Sequence, residues 1–136
     1  MAKDKGKIII APGINVWPHE LKTAEALAEA GYVVEFIRRS EERRARSADC
    51  VIGGKLWEMK APTASNMKAV EKNLRKALNQ APHVIFDCRR MKGVPDAAIE
   101  REVRTCVAGR VRGLKCVLFV NRKGKIVDIS KASDNL

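Results

Sequence analysis

The chain has 136 residues, 46% of them hydrophobic, with 27 Lys and Arg against 16 Asp and Glu for a formal net charge of +11. That length suits a single domain, residues 1–136, with one sizeable core, and leaves little room for a second. No apolar run approaches the ~18 residues of a membrane-spanning helix, while the excess positive charge anticipates a polyanionic partner.

Residues 1–7 read as a frayed basic tail. Ile8–Ala11 is a short strand or an apolar patch laid over the core. It stops at Pro12-Gly13 instead of extending into a signal-peptide core, so the chain reads as cytoplasmic. Pro12–Pro18 is a loop, in which Trp17 either staples the next helix or shapes a cleft. A helix fits from His19 to Ala30, with Leu21, Ala24, Leu27 and Ala28 as its inner stripe and Gly31 as its stop. Tyr32–Ile37 is rich in β-formers and reads as a strand. Arg38–Ser47 holds five arginines and two glutamates and is a loop or a polar helical turn. A hairpin follows, Asp49–Ile52 and Lys55–Lys60, ended by Pro62.

Thr63–Ser65 offer caps for a long helix from Asn66 to Ala81. His83–Asp87 is a strand and Arg89–Gly93 a basic loop. Pro95 opens a helix that runs from Asp96 to Val107. Lys115–Val120 and Lys125–Ile129 form a closing hairpin. This order predicts an α/β fold, a mixed central sheet of about six strands flanked by helices.

The hairpin carries the clearest chemistry. Gly53-Gly54 supply the positive φ angles of a two-residue turn, which would set Ile52 opposite Lys55, Val51 opposite Leu56, Cys50 opposite Trp57 and Asp49 opposite Glu58. Cross-strand partners lie roughly 5 Å apart at Cβ, and the strand period adds Lys60 to the same face. Two opposed carboxylates repel, so a metal ion or a closely placed lysine would resolve the conflict. Mg²⁺ (or Mn²⁺) prefers hard oxygen ligands and keeps several waters, so Asp49 and Glu58 with a substrate phosphate suffice to hold it. Glu20, early on the first helix and next to His19, is a candidate third carboxylate or a charge favouring the helix dipole. Lys60 would orient the attacking water or stabilise the phosphate. Trp57 and Met59 face the other way and read as core.

Other residues suit a nucleic-acid surface. Lys68, Lys72 and Arg75 are exposed on the long helix, where Asn66, Asn73 and Gln80 form a polar line with a seven-residue step, and Gln80 could reach the active-site lysine or the substrate backbone. Asp87 ends an apolar strand, with Arg89, Arg90 and Lys92 continuing the charge; strand ends are where α/β sheets expose function. The six aromatic residues are too few and too apolar in context for a base-stacking platform. Cys50, Cys88, Cys106 and Cys116 form no CxxC pair and sit in apolar segments, where cysteine acts as a small hydrophobe.

Asp49 followed by Glu58-Met59-Lys60 is similar to the D…(D/E)xK signature of the PD-(D/E)xK nucleases, the restriction-endonuclease-like group, with Ala48 where proline usually stands. Trp17-Pro-His-Glu-Leu21, Ala30-Gly-Tyr-Val33, Ser47-Ala-Asp49, Trp57-Glu-Met-Lys-Ala-Pro62, Glu71–Leu78 and Val84–Asp87 together resemble the C-terminal nuclease domain of contact-dependent growth inhibition toxins of the CdiA type. The resemblance spans residues 15–130. It implies a restriction-endonuclease-like fold, an endoribonuclease that cleaves tRNA in a target cell, and a small cognate immunity protein. Its motif falls on His19, Glu20, Asp49, Glu58 and Lys60, with weaker matches at Asn73, Gln80 and Asp87. If the chain is excised from a secreted toxin, its place of action is the target-cell cytoplasm. Three alternatives stand beside it: a metal-independent RNase using His19, a DNA endonuclease, and a non-catalytic nucleic-acid-binding module.

Overall fold

The structure, a computed structural model, describes residues 5–38 and 48–131. Most of the arginine-rich stretch, residues 39–47, lies outside the described residues. Seven strands form one sheet and lie side by side in chain order. They are β1 (Lys7–Ile10), β2 (Val33–Phe36), β3 (Cys50–Ile52), β4 (Lys55–Lys60), β5 (His83–Asp87), β6 (Cys116–Val120) and β7 (Ile126–Ser130). β1 and β2 pair in parallel, as do β4 with β5 and β5 with β6, while the remaining neighbours are antiparallel. Parallel neighbours require a crossover, and each has a helix: α1 (Pro18–Glu29), α2 (Lys68–Leu78) and α3 (Asp96–Thr105). α3 runs on into a π-helical turn, Cys106–Arg110.

The helices cover opposite faces of the sheet. Ala24 and Leu27 of α1 pack with Val34, Phe36, Cys50, Trp57, Met59, Ile85 and Leu118. On the other face, Val70 and Leu74 of α2 and Ile99 and Val103 of α3 pack with Val84, Phe86 and Phe119. Full burial of each large side chain contributes about 1.5–3 kcal/mol. Strand alternation then decides where the polar residues of β4 go. Trp57 and Met59 face α1, as expected, so Glu58 and Lys60 point to the α2 side, in register with Val84 and Phe86.

Several expectations change. The apolar patch expected at Ile8–Ala11 is a strand, Lys7–Ile10, because three consecutive β-branched residues pair with β2, and it brings the count among the described residues to seven. Lys5–Lys7 belong to the fold instead of the tail. The Gly6 N–H donates to the Ala28 carbonyl at 2.7 Å, and Lys7 pairs with Val33. α2 is shorter than Asn66–Ala81, and its cap is not Thr63–Ser65: the Asn66 side-chain oxygen accepts the Ala69 N–H at 3.1 Å. Asn66 and Gln80 therefore flank the helix, and Asn73 alone of the three lies within it. Trp17 is 61% exposed and does not staple α1 into the core. The first turn of α1 is closed by Glu20, whose carboxylate accepts the Trp17 N–H at 3.0 Å.

Candidate active site

The β3–β4 hairpin forms as its sequence predicts. Gly53 and Gly54 have φ of 61° and 78°, and the ladder runs Ile52–Lys55, Val51–Leu56, Cys50–Trp57. It stops there, one pair short of Asp49–Glu58. The Asp49 N–H donates to the Trp57 carbonyl at 3.0 Å, and its carboxylate accepts the Met59 N–H at 2.9 Å. The expected repulsion between opposed carboxylates is thus relieved on both sides. Asp49 is held by a backbone donor, and Lys60 Nζ lies 3.6 Å from Glu58 Oε2.

Glu20, Asp49 and Glu58 are only 6%, 6% and 8% exposed. Each also bears on the buried Cys50 thiol. Burial first, then the charges of Asp49, Glu58 and Glu20, push that thiol up to about 12. Glu20 approaches from the α1 side, whereas Glu58 projects to the α2 side. β4 and β5 are parallel and β3 runs against β4. The start of β3 and the ends of β4 and β5 therefore lie at one edge of the sheet, which brings Asp49, Lys60 and Asp87 to the same end. His19, half-buried, occupies the same helical turn as Glu20.

The structure separates the predicted nucleic-acid residues into two groups. Lys68, Lys72, Arg90 and Lys92 are exposed. With Met67, Glu71, Arg75 and Glu102, the α2 lysines line an open groove of about 510 Å³. Other members are engaged inside the protein. Asp87 is 3% exposed; its carboxylate accepts from Thr23 Oγ1 at 2.7 Å and from the Arg89 guanidinium at 2.7–3.2 Å. Hydrogen bonding to Asp87 in turn raises the pKa of Arg89. One Arg90 nitrogen donates to the Ala61 carbonyl just past β4, at 3.0 Å. Asn73 donates back to Ala69 at 2.8 Å, a bond within its own helix. Gln80 sits in the turn leading into β5, away from the strand end that carries Lys60.

Sequence reasoning missed a second cluster. Glu71 of α2, Glu102 of α3 and Cys106 bring one ligand atom each to within 4.8 Å of one another, and these three could hold a divalent cation. Cys106 was expected to act only as a hydrophobe. The i,i+4 spacing of Glu102 and Cys106 was readable, but the approach of Glu71 depends on how two helices pack. The cluster already has cations. Arg110 Nη1 lies 2.6 Å from Glu102 and 3.7 Å from Glu71, and Arg75 Nε lies 2.8 Å from Glu71. Burial and the two glutamates push the Cys106 thiol up to about 11, so a metal would have to displace its proton as well as an arginine.

Residues 46–126 match the family model described as the contact-dependent growth inhibition CdiA C-terminal domain. Among solved structures, the chain is similar to the CdiA-CT/CdiI toxin and immunity complex from Burkholderia pseudomallei. That match has a TM-score of 0.70 and 22% sequence identity, and it covers 92% of this chain and 99% of that one. At such identity the likeness shows a shared fold. No curated protein matches the chain.

Proposed function

Because the chain belongs to the contact-dependent growth inhibition CdiA C-terminal domain family, we propose that it is the nuclease domain of a growth-inhibition toxin, an endoribonuclease that hydrolyses phosphodiester bonds in tRNA with the help of Mg²⁺ or Mn²⁺. The observation that carries this reading is the burial of three carboxylates, Glu20, Asp49 and Glu58, with Lys60 Nζ 3.6 Å from Glu58 Oε2. Desolvating carboxylates is expensive, and concentrating them at a strand end is an arrangement that a bound cation would repay. The D…ExK pattern and the mixed sheet flanked by helices also suit a restriction-endonuclease-like nuclease.

The donor set favours a hard cation over a soft one. Asp49, Glu58 and Glu20 offer oxygen alone, as Mg²⁺ prefers, whereas the second cluster mixes oxygen with a protonated thiol. A divalent ion bound there supplies a more acidic water and neutralises charge developing on the phosphate. The protein residues do the rest. Asp49, fixed by the Met59 N–H, presents its carboxylate in a set direction. Glu58 holds the second position, and Lys60, drawn toward it, would stabilise the phosphate or orient the attacking water. The exposed Lys68, Lys72 and Lys92 would guide the RNA backbone by its phosphates. A small cognate immunity protein would block this domain, and the target-cell cytoplasm would be where it acts.

The decisive experiment incubates the pure protein with total RNA and, separately, with plasmid DNA, in Mg²⁺ and in EDTA. Shortened tRNA in Mg²⁺, intact tRNA in EDTA and intact plasmid are expected. Cleavage that survives EDTA and leaves a 2′,3′-cyclic phosphate would replace this mechanism with one based on His19, since attack by the 2′-hydroxyl needs a general base. A cut plasmid would make the enzyme a DNA endonuclease.

A further inference from the structure

Asp87 and Arg89 read from sequence as part of a nucleic-acid surface, yet their geometry faces inward. Arg89 spends its guanidinium on Asp87 and on the Lys22 carbonyl, the latter at 3.1 Å. Its own N–H also donates to Asp87, at 3.0 Å, closing a tight loop at the end of β5. The remaining partner of Asp87 is Thr23, on α1, 64 residues away in the chain. Thr23 is 1% exposed, and its hydroxyl also lies 3.1 Å from the His19 carbonyl. Arg89 and Asp87 together therefore grip α1 at Lys22 and Thr23, just past Glu20.

We propose that Thr23, Asp87 and Arg89 are positioning residues that lock the N-terminal half of α1 to the end of β5 and so hold Glu20 at the end of the sheet that carries Asp49 and Lys60. This inference rests on the nuclease reading of that site. The planar fork of arginine makes the lock directional. It meets a buried carboxylate with two nitrogens while a third contact reaches the helix backbone, a geometry that the point charge of lysine does not reproduce. The lock also accounts for a buried acid at a strand end that the reaction itself does not use. A small displacement of the α1 turn would move Glu20 out of line without altering the phosphate contacts of exposed lysines elsewhere.

The test compares Thr23→Val, which keeps the shape and removes the hydroxyl, with Thr23→Ser, which keeps the hydroxyl; Arg89→Lys is the second probe. Thr23→Val and Arg89→Lys should lower kcat on tRNA roughly ten- to a hundredfold with KM near the wild-type value, and Thr23→Ser should restore most of the rate. Amide hydrogen exchange reads positioning without any activity. The Trp17 N–H, bonded to Glu20 at 3.0 Å, and the Leu21 N–H, bonded to the Trp17 carbonyl at 3.0 Å, should exchange about tenfold faster in Thr23→Val, while β4 and β5 amides hold. A loss confined to KM would make Arg89 an RNA contact and overturn the proposal. So would unchanged exchange at Trp17 and Leu21. If the wild-type protein cleaves no RNA, the nuclease reading fails, and the exchange measurement still decides whether the lock exists.

Discussion

The protein gathers acidic side chains in two places, and they differ in how far each is withdrawn from water. At the sheet end Glu20, Asp49 and Glu58 are 6%, 6% and 8% exposed. Between α2 and α3 the side chains of Glu71 and Glu102 keep 32% and 24% of their surface in solvent, and both lean on Arg110. The second cluster is a brace. Its ion pairs tie two helices together at modest energy, because solvent screens them. The first stores unfavourable desolvation at the edge where strands end, and that is the pattern expected of a working site. Counting carboxylates would rank the two alike; burial and position in the sheet separate them.

That distinction can be broken by mutation, beginning at the sheet end. Glu58→Gln and Asp49→Asn should each lower tRNA cleavage by about a thousandfold or more, equivalent to roughly 4 kcal/mol of transition-state stabilisation. Melting temperatures should hold or rise, because Asn keeps an oxygen for the Met59 N–H and one buried charge is gone. Near-normal turnover in either variant would remove the site from the sheet end.

Lys60→Met should act on the same step with a smaller effect. Single-turnover rates should drop about a hundredfold while RNA affinity changes less than about twofold, because one cation contributes little to binding among 27 basic residues. If affinity collapses and the saturated rate survives, Lys60 belongs with the binding surface.

Glu102→Gln at the helix brace should have the smallest effect. Cleavage and its Mg²⁺ dependence should match wild type, and stability should fall by no more than about 1 kcal/mol. Thiol titration sharpens the same contrast. Cys106 is raised from 9.0 to about 11, so the stability it contributes is complete below pH 9 and declines as pH rises through 11. Removing the Glu102 charge should bring the folded-state thiol back toward 9.0, so the decline still begins near pH 9 but is smaller and ends at lower pH in alkaline melting curves. A large loss of Mg²⁺-dependent activity in Glu102→Gln would shift the metal to the brace.

Much of the frame was legible in the sequence because it rests on local rules. The Gly53-Gly54 turn fixes the register of the hairpin through backbone angles alone, and His83–Asp87 is a strand at the bounds its composition predicts. The opposition of Asp49 and Glu58 was nearly right. It failed at the last pair because the Asp49 side chain competes for a backbone donor, a habit of short polar side chains at strand ends. The lock of Thr23 on Asp87 was not legible, since no local pattern links residues 64 positions apart. Arg89 misled for a related reason. A cation in a basic loop looks outward until the buried carboxylate beneath it is known. Sheet order was likewise closed to sequence, as neither hydrophobic period nor turn chemistry says which strands become neighbours.

That order has a kinetic side. Each described strand lies next to the one that precedes it in the chain, so no strand has to be inserted between two that have already paired. The hairpins close short loops, while the three parallel pairs must close longer crossovers and so form more slowly. The sheet can grow from the β3–β4 hairpin outward, adding one neighbour at a time. A domain proposed to act in a cell other than the one that made it gains from such an order: if it is ever unfolded on the way, its sheet can be rebuilt by adding strands at the ends alone.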